Sequence, residues 1–154
     1  GLNFAFNGEN MSTRGMIGML EDNGSIRYIF CRYDAYPSGV GKMLLRFYAT
    51  PERVKALLDL GDVRSLCPRL SNEEPGECPT CGHTSEVSTF FGRDYEDKKA
   101  TARNTTNTED LLKHDFAYLF RDGQWFGARA YGDDRTWQPL SEFIAHWENG
   151  DDDE

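Results

Sequence analysis

The chain has no long apolar run. Nothing in its 154 residues approaches the roughly 20 consecutive apolar residues that a membrane-spanning helix requires. No basic segment leading into an apolar stretch opens it, so no secretory signal is expected. Histidine is scarce, at three residues, and no Ser–His–Asp or Cys–His nucleophile can be assembled from the spacing. Cysteine is scarce too, at four, and two of these stand as Cys78-Pro-Thr-Cys81, a metal-type spacing rather than a disulfide framework. These absences point to the cytosol and to a core built by burial. Basic charge is short as well: 17 Lys+Arg face 26 Asp+Glu, for a formal charge of −9. The deficit lies beyond residue 70, where 8 basic residues face 19 acidic ones, against 9 and 7 before it. Such a surface disfavours non-specific binding to a phosphate backbone and suits a basic partner, although acidity of this kind also serves solubility alone.

Large apolar side chains are present in number. Ten Phe, 7 Tyr and 3 Trp can each remove about 150–250 Å² from water. The length suits one domain. The expected organisation is a leader or expression remnant at 1–10, a single α+β domain at 11–149 with a metal-binding insert at 67–83, and an acidic tail at 150–154.

Local patterns predict the elements. Met16 to Leu20 and Ser25 to Tyr33 read as a hairpin around Asp22-Asn23-Gly24. The second of these strands is apolar on both faces, with Ile26, Tyr28 and Phe30 on one and Ile29, Cys31 and Tyr33 on the other. Helical spacing covers Val40 to Tyr48, and Thr50-Pro51 opens a second helix that Gly61 ends. Glu86 to Gly92 reads as a strand and Asp94 to Thr106 as a loop. Thr108 caps a short helix. Phe116 to Arg121 and Gln124 to Tyr131 flank Asp122-Gly123, a two-residue type I′ turn that puts Tyr118, Phe120, Trp125 and Gly127 on one face. Trp137 to Leu140 adds a strand, and Ser141 caps a last helix. The expectation is an antiparallel sheet built from two hairpins, with helices packed on it and a zinc-knuckle loop.

Cys78-Pro-Thr-Cys81-Gly-His83 carries the most specific chemistry. Two thiolates two residues apart can grip one metal ion while backbone N–H groups bond the sulfurs. Cys67, Cys78, Cys81 and His83 would form a closed, structural zinc site, with Cys31 or His114 as substitutes for His83. The competing readings are free thiols in a loop and a redox pair, which would want a strand before the motif and a helix after it.

Other motifs are weaker. Ser38-Gly39-Val40-Gly41-Lys42 suggests a phosphate-binding loop, yet Tyr36 and Met43 stand where it needs a glycine and a hydroxyl. Glu86, Asp94, Glu96 and Lys98 could serve a metal-dependent nuclease. Arg32, Asp34 and Tyr36 lie just past a buried strand, where binding residues often collect.

Met11-Ser-Thr-Arg-Gly-Met-Ile-Gly and Gly24-Ser-Ile-Arg-Tyr-Ile-Phe-Cys-Arg-Tyr-Asp-Ala-Tyr-Pro-Ser-Gly-Val-Gly-Lys-Met-Leu carry a resemblance. So do Gly61-Asp-Val-Arg-Ser-Leu and Phe116-Ala-Tyr-Leu-Phe-Arg-Asp-Gly-Gln-Trp-Phe. Together they resemble a family of small uncharacterised phage and prophage proteins, whose members tend to read Ile-Tyr-Cys-His-Trp-Asp-Gly-Tyr-Pro-x-Gly-Val-Gly here. Arg32, Tyr33 and Ala35 replace the family's His, Trp and Gly. The resemblance implies an origin and no mechanism. The expected function is that of a non-enzymatic accessory protein binding a host protein, one of basic or nucleic-acid-binding character, in the service of inhibiting a defence system. A nucleic-acid-associated module is the alternative, supported by Arg14, Arg27, Arg32, Lys42 and Arg46 beside Tyr28 and Tyr33.

Overall fold

A computed structural model describes residues 13–74, 86–132 and 135–149. The first hairpin pairs β1 (Gly15–Leu20) with β2 (Ile26–Cys31), from Gly15↔Cys31 to Leu20↔Ile26. The Asn23 side chain holds its turn by accepting from the Ser25 backbone N–H at 2.9 Å.

The chain then passes through a wide turn (Pro37–Gly41) into α1 (Lys42–Phe47) and α2 (Pro51–Asp59). The Thr50 hydroxyl caps α2 by accepting from Arg53 N–H at 3.3 Å. Gly61 ends the segment at φ 81°, where a Cβ would come within 2.0 Å of the Ala100 carbonyl oxygen. No other residue can stand there without displacing backbone.

Short pieces follow: β3 (Val63–Ser65), β4 (Thr89–Phe90), α3 (Phe91–Tyr95) and β5 (Arg103–Thr105). A 3₁₀ turn at Thr108–Leu111, capped by Asn107, leads into β6 (Phe116–Arg121) and β7 (Gln124–Arg129). The edge strand β8 (Gln138–Pro139) and α4 (Leu140–Glu148) complete the domain.

The eight strands run β4-β3-β2-β1-β6-β7-β8, with β5 also pairing with β2. Both expected hairpins form, and Asp122 and Gly123 take positive φ angles of 52° and 78° in the second. The sheet is nevertheless mixed, mostly antiparallel, rather than wholly antiparallel. β1 and β6 lie parallel, from Gly15↔Phe116 to Met19↔Phe120, and Cys31↔Val63 is a parallel pairing as well. The reason is non-local: Arg14 N–H bonds the Asp115 carboxylate at 3.0 Å, and Asp115 N–H returns a 3.0 Å bond to the Arg14 carbonyl. This clasp sets both chains off in one direction.

Four further expectations are corrected. The strand expected over Glu86 to Gly92 shrinks to two residues, because the Asp94 carboxylate takes the Phe90 N–H at 2.7 Å and starts a helix. Part of the expected loop 94–106 becomes β5. Asn107, not Thr108, caps the turn after it. The last helix begins at Leu140 after Pro139, without a Ser141 cap. The leader at 1–10 and the tail at 150–154 lie outside the described residues.

The larger core lies under α1, α2 and α4. It includes Ile17, Ile29, Leu44, Tyr48, Leu57, Tyr118, Phe120, Trp125 and Phe143. Its buried polar atoms are paired as burial demands: Tyr118 OH donates to the Ala35 carbonyl at 2.6 Å and Trp125 Nε1–H to the Tyr48 carbonyl at 2.7 Å. Phe143 lies on Gly127, where a Cβ would come within 2.5 Å of its ring. The opposite face has a smaller core around Met16, Ile26, Leu111, Leu119 and Ala128. No helix among the described residues is long and apolar enough to cross a membrane.

Candidate functional site

β2 and β3 run parallel, and the loops leaving the carboxyl ends of parallel strands diverge to leave room for a ligand. Arg32 N–H donates to the Val63 carbonyl at 3.0 Å and Tyr33 N–H to the Arg64 carbonyl at 3.2 Å. This pairing sets Arg64 beside Arg32 and Tyr33. The Arg32 guanidinium lies 4.6 Å from the Tyr33 ring centroid, and that of Arg64 lies 5.1 Å from the same ring and 5.3 Å from Tyr95. The result is a ladder of alternating cations and rings.

Stacking occupies the faces of the guanidiniums and leaves their N–H edges for partners. Arg32 Nη1 is buried and has no hydrogen-bond partner among the described residues. An orphaned donor of this kind costs about 1–3 kcal/mol. Tyr95, at the outer end of the ladder, is 53% exposed.

Asp34 and Tyr36 sit beside this ladder. Asp34 adopts φ 59°, a left-handed conformation that aspartate tolerates better than most residues. Its carbonyl accepts Val40 N–H at 2.9 Å, which closes the turn. Asp34 and Tyr36 line a cleft of about 260 Å³ with Lys42, Arg46, Phe47 and Leu66. Partial burial raises the Asp34 carboxyl above its usual range, and burial followed by the Asp34 charge raises the Tyr36 phenol. Arg32 is not part of the cleft wall. The three expected residues therefore form two adjoining features, a cleft and a ladder.

Of the expected zinc ligands, Cys67 is described and Cys78, Cys81 and His83 lie outside the described residues. Cys67 is held firmly at its backbone. Its N–H donates to Ser88 Oγ at 2.7 Å, and its carbonyl accepts from Tyr48 OH at 2.5 Å and from Ser88 Oγ at 3.0 Å. Burial, then the Glu86 charge, raises its thiol. The chain leaves this region at Glu74, whose carboxylate binds Leu70 N–H at 3.0 Å, and returns at Glu86, whose carbonyl accepts Arg69 N–H at 3.2 Å. Of the substitutes for His83, Cys31 is fully buried with its thiol pushed up to about 12, and His114 packs against Phe30 in a tilted arrangement with ring centroids 4.9 Å apart.

The nuclease set does not assemble. Among the described residues no three His, Cys, Asp or Glu side chains group to hold a metal ion. Asp94 is occupied by Phe90 N–H and by Arg93 at 3.0 Å. Glu96 caps α3 in a left-handed conformation. Lys42, at the end of the glycine-rich turn, pairs with Glu148 on α4. Arg27 pairs with Asp59 at 2.7 Å, so two cations of the expected basic set have intramolecular partners.

Sequence reasoning missed Arg64 and Tyr95. Only the pairing of β2 with β3 brings Arg64 to Tyr33, and no local signal announces it. No family model matches the chain, and no curated protein or solved structure does either.

Proposed function

We propose that the chain is a non-enzymatic phage or prophage accessory protein that binds a host protein in the bacterial cytoplasm, inhibiting a defence system. The observation that carries this reading is the Arg32–Tyr33–Arg64–Tyr95 ladder, with a buried guanidinium nitrogen left unpartnered at its base. Arginine and tyrosine are the residue types that dominate binding energy at protein interfaces. The cleft at Asp34 and Tyr36 adjoins the ladder and would take a partner side chain. The acidic stretch beyond residue 70 suits a host protein of basic or nucleic-acid-binding character.

A structural zinc ion on Cys67, Cys78, Cys81 and His83 belongs to this reading, with the role of fixing the insert. Its support is the motif together with the anchoring of Glu74 and Glu86 near Cys67. Metal analysis of the purified chain should return about one equivalent of zinc, against four free thiols if the reading is wrong.

Direct contact with nucleic acid is the second reading, since arginine and tyrosine also stack on bases. The overall charge of −9 and the internal pairing of Arg27 and Lys42 weigh against it. Affinity capture with the full chain from bacterial lysates decides between the two. The expected result is one stoichiometric protein, lost in the Arg32→Ala, Arg64→Ala double variant and retained after nuclease treatment. Recovery of no protein across several hosts, or capture that ignores both arginines, would overturn the proposal.

A further inference from the structure

On the face of the sheet away from the large helices, β2 changes partners along one edge. β5 pairs with Ile26, Arg27 and Tyr28, and β3 pairs with Cys31. Between them Phe30 N–H has no strand to bond. It donates instead to Asp62 Oδ1 at 2.8 Å. Asp62 is buried, and Arg103 grips it with two nitrogens at 2.9 and 3.0 Å.

This pair forms one wall of a cleft of about 340 Å³. Met16, Tyr28 and Phe30 give it apolar surface, and Asp110, Lys113 and His114 also line it. The volume lies at the small end of the range for small-molecule pockets, roughly 300–1,000 Å³.

The polar groups around it divide into occupied and free. Arg103 and Asp62 satisfy each other. Asp110 accepts a hydrogen bond from the Thr105 hydroxyl. Lys113 has no carboxylate partner and the Tyr28 hydroxyl no hydrogen bond among the described residues, although both line the cleft. His114 packs against Phe30 with the rings tilted by 54°, and burial lowers its pKa. The open functions are thus one ammonium group, one phenol and one imidazole beside two aromatic rings. A flat ring can pack on Tyr28 and Phe30 while an anionic substituent meets Lys113 and the Tyr28 hydroxyl.

We infer that the cleft between Phe30, Arg103 and Lys113 is a binding site for a small aromatic molecule carrying one anionic group, a carboxylate or a phosphate. The site is separate from the ladder, and its test is independent of any host protein.

The full chain, labelled with ¹⁵N, is titrated with indole-3-carboxylate and with adenosine monophosphate, with indole and adenosine as neutral counterparts. The expected result is saturable shifts of the amides of Met16, Phe30, Arg103, Lys113 and His114 with one or both anions. The neutral counterparts bind at least about tenfold more weakly. Which anion saturates first assigns the substituent as carboxylate or phosphate. Lys113→Ala, at an exposed position, weakens binding by about tenfold without altering the rest of the spectrum. Tyr28→Phe, which removes only the hydroxyl, gives a smaller loss. The inference is overturned if neither anion shifts these amides at millimolar concentration, if neutral and anionic probes bind alike, or if Lys113→Ala leaves the affinity unchanged.

Discussion

The two faces of the sheet are built to different standards. Under α1, α2 and α4 the core is large, its polar atoms are paired, and contacts are close enough that Phe143 tolerates only a glycine at 127. On the other face the buried set is small, Tyr28 and Phe30 are only partly buried, and the edge of β2 is completed by a carboxylate in place of a strand. The contrast teaches that the tightest packing and the incompletely satisfied groups lie in different parts of this molecule. Close packing under the helices supplies most of the stability, and groups without a full set of partners, such as Arg32 Nη1, lie at the strand ends.

The sharpest way to break that comparison is truncation on both faces. Phe143→Ala should lower the unfolding free energy by about 3–5 kcal/mol in urea titration, the range for a large side chain removed from a tight core. Leu111→Ala, equally buried on the open face, should cost only about 2 kcal/mol, because its neighbours can collapse into the space. Equal losses would show that the two faces are packed alike. Gly127→Ala comes next: the added methyl meets the Phe143 ring, and about 1–3 kcal/mol should be lost. A silent Gly127→Ala would mean that α4 rides loosely on the sheet.

The smallest effect concerns pH and belongs to the open face. Burial, together with Arg14, lowers the His114 pKa against the opposing charge of Asp115. The folded state therefore disfavours the imidazolium. Its contribution is complete above the unfolded value of about 6.5, is lost as pH falls from there toward the lower folded value, and changes no further below both. Urea midpoints measured from pH 7.5 to 5 should fall more steeply for the wild-type chain than for His114→Gln. Parallel curves would remove His114 from the account.

What could be read from the sequence was whatever local chemistry decides. Asp122-Gly123 specifies its turn because both positions need positive φ, and Thr50-Pro51 opens a helix through one hydroxyl and one preset angle. The alternation that puts Tyr118 opposite Gly127 and Phe120 opposite Trp125 follows from that turn. The parallel pairing of β1 with β6 was illegible, since Arg14 and Asp115 give no sign of each other along the chain. Of the candidate site, Arg32, Asp34 and Tyr36 could be named from their place after a buried strand. Arg64, Tyr95 and the Asp62–Arg103 pair were not, because each acquires its role only through a partner far away in sequence.

That clasp between Arg14 and Asp115 spans 101 positions, and it bears on how the chain is made. Translation proceeds at about 5–20 residues per second, so the first hairpin would wait roughly 5–20 s for the strand that lies against it. Until then one flank of β1 is bare, with apolar side chains such as Met16 and Ile17 beside it. A ribosome-bound fragment ending before residue 116 should therefore recruit chaperones and clump on release, and one extending past the second hairpin should not.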